Sequence, residues 1–284
     1  MKWRGRRQSE NIEDCRGMRV GRGLVGGGIG TIALALLIMY FGGDPSVVLQ
    51  GVGTSPGGPA TSEPYAESEM EAEWREQIAV VLAETEDAWR TEFAELGGAY
   101  REPVLVLFNG RVESGCGRAD AAAGPFYCSA DERVFIDLGF FNELQAQLSA
   151  GGDFPRAYVV AHEIGHHVQN LLGTSGRVQE LRQRVGEVEA NQLSVRLELQ
   201  ADRYAGLWAH YAGSTAGILE PGDIEEALNA ATAIGDDTLQ KNAGRAVVPD
   251  ACTHGSSEQR MRWFSRGYEG GQVANCDTFK EADV

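Results

Sequence analysis

From Trp74 through Ile78, Val81, Leu82, Trp89 and Phe93 to Leu96, apolar residues recur every three or four positions with acids between them, and Gly97-Gly98 ends the run. That spacing stacks the apolar side chains on one face and predicts a long amphipathic helix. The run "PVLVLF" (103–108) is instead continuously apolar and closes at Asn109-Gly110, which predicts a buried strand before a turn. "GPFYCSADERVFIDLGFF" (124–141) reads as two more strands, 126–129 and 133–138, joined by a tight polar turn. A helix near 141–149 is expected next, broken at "GGDFP". A second helix carries "YVVAHEIGHHVQNLLG" (158–173), with Asp153 as N-cap, Pro155 in the first turn and Gly173 past the end. Helical spacing returns from 177 to 211. Helix, small sheet, then helices: this order predicts an α+β domain over 66–284.

Upstream the pattern changes. Residues 23–42, "GLVGGGIGTIALALLIMYFG", carry no charge, and at ~1.5 Å per residue a helix of that length spans a ~30 Å hydrocarbon layer. Its early glycines disfavour a buried soluble helix, and no Ala-x-Ala site follows Phe41, which disfavours a cleaved signal peptide. The expected organisation is a basic cytoplasmic leader (1–22), a single-pass transmembrane anchor (23–42) and a Gly/Pro-rich linker (43–65). An extracytoplasmic domain on the cell membrane follows.

Charge and cysteines extend this picture. The chain carries −16, and the leader +4, which leaves −20 for the rest. Such a body repels polyanions, so nucleic acid is not an expected partner. Beyond the anchor, Cys116, Cys128, Cys252 and Cys276 form two local groups with no CxxC spacing, as expected of two disulfides in an oxidising compartment. Cys116–Cys128 and Cys252–Cys276 are the expected pairs.

The candidate chemistry is H-E-x-x-H at His162, Glu163 and His166. Four residues apart on a helix, both imidazoles face one spot and suit Zn2+, while Glu163 can reach a water beside it. The apolar positions around Glu163 make an unpartnered carboxylate there costly, and Gly165 is expected to keep the space beside the metal open. Gln169 and Leu172 stand where a metzincin needs Gly and His. The third ligand is therefore expected from a second helix, at Glu198 in "RLELQADRYAGLWAH" (196–210), with Asp202 one turn on to take a histidine's other ring N–H. Ala201, Ala205 and Gly206 would let that helix approach closely. Glu187 and Glu189 are expected on a solvated face, and His167 and His210 in packing or hydrogen-bonding roles.

The segments "GPFYC", "AHEIGHHVQNLLG", "RLELQAD", "EALNAATAIGDDTLQ" and "VVPDACTHGSSEQRMRWFSRGY" together resemble the bacterial family described as putative neutral zinc metallopeptidases. The resemblance runs from about Pro103 to Phe279 and implies a membrane-anchored, zinc-dependent peptidase acting on peptides or proteins. Arg203 departs from it, standing where the family often has Cys; Cys252 stands where the family often has Phe.

The expected fold is therefore a zincin-like α+β domain of gluzincin type. His162, His166 and Glu198 would hold zinc, and Glu163 would act as general base. His254, in "CTHGSSEQRMRWF" (252–264), would act as a donor to the developing oxyanion, with Arg260 on the same side from a helix starting near Ser257. By fold analogy, a strand around 133–138 would be the sheet edge that receives an extended substrate. The alternative is a non-catalytic, membrane-tethered binding module stabilised by the same zinc. Glu163 separates the two, since a structural site has no need of a base.

Overall fold

The computed structural model describes residues 1–17, 65–120, 124–147, 152–273 and 276–281. Met1–Arg16 and Ala66–Val284 form one compact unit. Gly17–Tyr65 cluster separately, and all but their two end residues lie outside the described residues, so the anchor expected at 23–42 and nearly all of the linker at 43–65 fall there. Among the described residues no helix is long and apolar enough to cross a membrane.

The described residues hold eight α-helices and two small sheets. Helix α1 (Glu69–Glu95) opens on a capping box between Ser68 and Glu71 and buries Trp74, Ile78, Leu82 and Trp89. Strand β1 (Ile12–Asp14) lies parallel to β2 (Val104–Phe108), with Ile12 opposite Leu105. A hairpin of β3 (Arg111–Ser114) and β4 (Gly117–Asp120) precedes β5 (Phe126–Cys128) and β6 (Arg133–Asp137). The four-stranded sheet runs β1-β2-β6-β5, with β2 and β6 parallel and β5 antiparallel to β6. Helix α2 (Gly139–Gln147) leads to α3 (Phe154–Leu171), whose Tyr158, Val160, Ala161, Ile164 and Val168 are fully buried in the main core. Around α3 pack α4 (Thr174–Arg182), α5 (Glu187–Ser214) and α6 (Asp223–Ala233), followed by α7 (Asp236–Asn242) and α8 (Ser257–Gly270).

The basic leader is not a separate segment. Its strand β1 is hydrogen-bonded into the sheet, and its arginines meet the acids of α1 and its approach: Arg6 with Glu84 at 2.8 Å, Arg7 with Glu86 at 3.0 Å, Arg16 with Glu67 at 2.5 Å. Along the chain these residues are a charge run; in space they are one half of an ion-paired interface. The first sixteen residues of the leader thus pack in the same compact unit as Ala66–Val284.

Three further expectations change. Asp153 sits at the N-cap of α3 without a side-chain cap, because its carboxylate takes the Met1 ammonium at 2.8 Å. Strand β6 lies inside the sheet, so the edge nearest α3 is β5, not 133–138. Cys116 and Cys128 form a disulfide, but Cys252 and Cys276 are both free. They pack in different places: Cys252 against the Val195–Leu199–Trp263 cluster, and Cys276 in the main core. Arg203, at the departure from the family pattern, lies over the Trp263 ring at 5.3 Å and also interacts with the Cys276 thiol.

Candidate metal centre

Helix α3 presents His162 and His166 one turn apart, and α5 crosses it closely enough to bring Glu198 opposite. The close approach is set by Gly165: a Cβ there would meet Ala201 O at 2.9 Å and Ala201 Cα at 3.0 Å. Gly165 therefore admits the second helix rather than opening space beside a metal. Gly206 does the same at the next interface, where a Cβ would sit 2.0 Å from Phe264 O of α8.

The Nε2 atoms of His162 and His166 lie 3.3 and 3.5 Å from the two Glu198 carboxylate oxygens. One donor atom from each of the three residues lies within 4.8 Å of the others. Behind them each imidazole is fixed through Nδ1. His162 Nδ1 meets Asp202 Oδ1 at 2.8 Å, and His166 Nδ1 meets Gln169 Oε1 at 2.9 Å. A carboxylate or an amide oxygen only accepts, so Nδ1 carries a hydrogen on both rings and Nε2 is the atom each ring turns to the cluster, a lone-pair donor once a cation displaces its proton. Two such nitrogens and a carboxylate match the donor set of a zinc site with a position left open.

Asp202 is fully buried and also accepts from Tyr158 O–H at 2.6 Å and from Arg260 Nε and Nη2 at 2.8 and 3.0 Å. Burial works to raise its pKa, but Arg260 and His162 overcome that and hold it at about 2. Burial likewise opposes the His162 imidazolium, yet Asp202 and Glu198 raise its pKa to about 9. Glu198 is held well below the carboxylate range, as the two histidines outweigh its desolvation. Glu163 differs: burial pushes its carboxyl up despite the neighbouring histidines, and among the described residues it has no hydrogen-bond or ion-pair partner.

Glu163 faces a cleft of about 1000 Å³ that is also lined by the three candidate ligands, His254 and Arg260. His254 is held by Asp236, whose Oδ2 accepts the backbone N–H groups of Thr253, His254 and Gly255 at 2.8, 2.8 and 3.1 Å. Asp236 Oδ1 faces His254 Nδ1 at 3.3 Å, and this contact raises the His254 pKa against partial burial. Arg260 shares the cleft but spends its guanidinium on Asp202 and Tyr158.

All the candidate ligands named from sequence thus converge, with Asp202 behind them. Glu187 and Glu189 are exposed, and His210 bonds the Tyr268 carbonyl at 2.7 Å, as expected. Sequence reasoning missed Gln169, Tyr158 and Asp236. Gln169 and Tyr158 carried a usable signal, three residues after His166 and four before His162 on one helix face; Asp236 carried none.

A mixed α+β domain with two histidines a turn apart and a carboxylate from a facing helix has the make-up of a zincin-like protein. The chain belongs to the family described as "Putative neutral zinc metallopeptidase", whose model matches residues 1–279. It is 44% identical over 288 residues to the uncharacterized protein YpfJ of Escherichia coli strain K12, covering 98% of this chain and 99% of that protein. It is 47% identical over 195 residues to the uncharacterized protein Mb2605 of Mycobacterium bovis, covering 65% of each. No solved structure matches the chain.

Proposed function

We propose that this protein is a zinc-dependent peptidase of the gluzincin type that hydrolyses peptide bonds of extended peptide or protein segments. One observation carries the reading: two imidazole nitrogens and a carboxylate oxygen converge within 4.8 Å while an unpartnered, buried carboxylate stands beside them in an open cleft. His162, His166 and Glu198 hold the metal, and Asp202 and Gln169 fix the two rings. When bound, zinc supplies Lewis acidity that brings the pKa of a water towards ~7 and polarises a carbonyl.

The chain's own groups do the rest. Glu163, with its pKa raised by burial, takes a proton from the attacking water as the water oxygen adds to the scissile carbon. It then passes that proton to the amine as the C–N bond breaks. His254, positioned by Asp236, donates to the oxygen that gains charge on the way, a contact often worth ~2.7–4 kcal/mol. A closed structural site would have four protein ligands and no free base, which favours catalysis over a zinc-stabilised binding module.

Zinc content tests the assignment. Glu163→Gln should hold one zinc per chain and lose cleavage, whereas His162→Ala and Glu198→Ala should lose the metal. Full occupancy in Glu198→Ala would move the third ligand elsewhere.

A further inference from the structure

The third histidine of the motif, His167, is not a ligand, and its surroundings give it a different task. It is fully buried on the side of α3 that faces the sheet. Its Nε2 lies 2.6 Å from the Arg101 carbonyl oxygen and its Nδ1 3.0 Å from the Tyr127 hydroxyl. A carbonyl only accepts, so Nε2 carries the hydrogen and Nδ1 accepts from Tyr127 O–H. Burial raises the Tyr127 pKa to about 12, so its proton is in place. The Tyr127 oxygen then accepts from Asn170 Nδ2 at 3.1 Å. The result is a one-way chain of donors from Asn170 to Tyr127 to His167 to the Arg101 carbonyl.

Tyr127 is the middle residue of β5, and its position makes that chain consequential. Phe126 stacks on Phe135, with ring centroids 4.8 Å apart, and Cys128 is bonded to Cys116, so the two outer residues are tied to the sheet and the hairpin. Side chains alternate along a strand, which leaves Tyr127 to face α3. Only three residue pairs hold β5 to β6, and among the described residues no strand pairs with its other edge. Tyr127 and Asn170 line the same cleft as His162, Glu163 and His166. A free strand edge bordering that cleft is where an extended peptide adds main-chain hydrogen bonds.

We propose that His167 is a positioning residue for substrate: through Tyr127 it fixes the β5 edge relative to the ligand-bearing turn of α3, so that a peptide paired with β5 presents its bond to Glu163. This rests on the peptidase reading and assigns the motif's extra histidine a role in binding rather than in metal ligation or proton transfer.

The test uses the full chain loaded with zinc and a quenched-fluorescent peptide chosen from those the wild type cleaves in a proteome-derived peptide library. Tyr127→Phe removes only the hydroxyl and His167→Phe the whole acceptor. Both should keep one zinc per chain, raise KM about tenfold and change kcat less than about threefold, the pattern of lost binding common to ground and transition states. His167→Gln, which retains a donor and an acceptor, should recover some of the loss. Tyr127→Phe guards against a His167→Phe chain that does not fold. Wild-type KM in folded, zinc-loaded Tyr127→Phe overturns the inference, as does a loss confined to kcat. A wild type that cleaves no peptide overturns the peptidase reading and this inference with it, a result separable from the first two.

Discussion

Asp236 shows how a site residue can be invisible along the chain and plain in space. It sits 18 positions before His254 and acts through three backbone N–H groups of a turn, a pattern no spacing of side-chain types announces. His162, Glu163 and His166 were legible because one helical turn fixes their geometry; Glu198 and Asp202 were legible because they repeat the same four-residue spacing on a second helix. The two histidine environments make a prediction at this scale. His254→Ala should fold, retain full zinc and lose kcat by about a hundredfold or more, with KM little changed, because its contact forms in the transition state. Asp236→Asn should follow in the same direction with a smaller loss, since the turn keeps an acceptor but His254 loses its carboxylate partner. Steady-state kinetics beside metal analysis checks both, and wild-type turnover in His254→Ala would remove that residue from the chemistry.

Between elements, the close crossings of α5 decide the site. Gly165 brings Ala201 of α5 against α3, while Gly206 and Gly267 bring α5 against α8, where a Cβ on Gly267 would lie 2.1 Å from Arg203 O. The α5–α8 crossing matters to the metal because Asp202 lies on α5 and its partner Arg260 on α8. Gly206→Ala should push the two helices apart, destabilise the fold by about 3 kcal/mol and weaken zinc binding. Gly176→Ala in α4, where a Cβ meets nothing within 4 Å, should leave stability unchanged or slightly higher. Urea midpoints at constant m report the difference; equal midpoints would mean that α5 and α8 tolerate separation. The small residues of α5 were legible as a sign of close packing. Which helix each one admits was not, because that depends on the crossing and not on the periodicity.

For the whole molecule, the α+β order, the apolar α3 and the β2, β5 and β6 strands were readable from local pattern, since turns and hydrophobic spacing are local signals. The fate of residues 1–16 was not. A short, arginine-rich segment becomes a strand only because β2 offers an edge and α1 offers acids, both more than 50 residues away. The Cys252–Cys276 pairing failed for the same reason: proximity in the sequence's last third did not place the two thiols in one cluster. What unites the molecule is the cleft, where α3, α5, β5 and the turn before α8 meet around Glu163. The most direct measurement is cleavage of a proteome-derived peptide library by the zinc-loaded chain, with equally loaded Glu163→Gln beside it. The wild type should cleave, fall silent with a chelator and recover on zinc addition, while Glu163→Gln stays silent at full zinc occupancy. Equal cleavage by the two proteins, or none by a fully loaded wild type, would contradict the account.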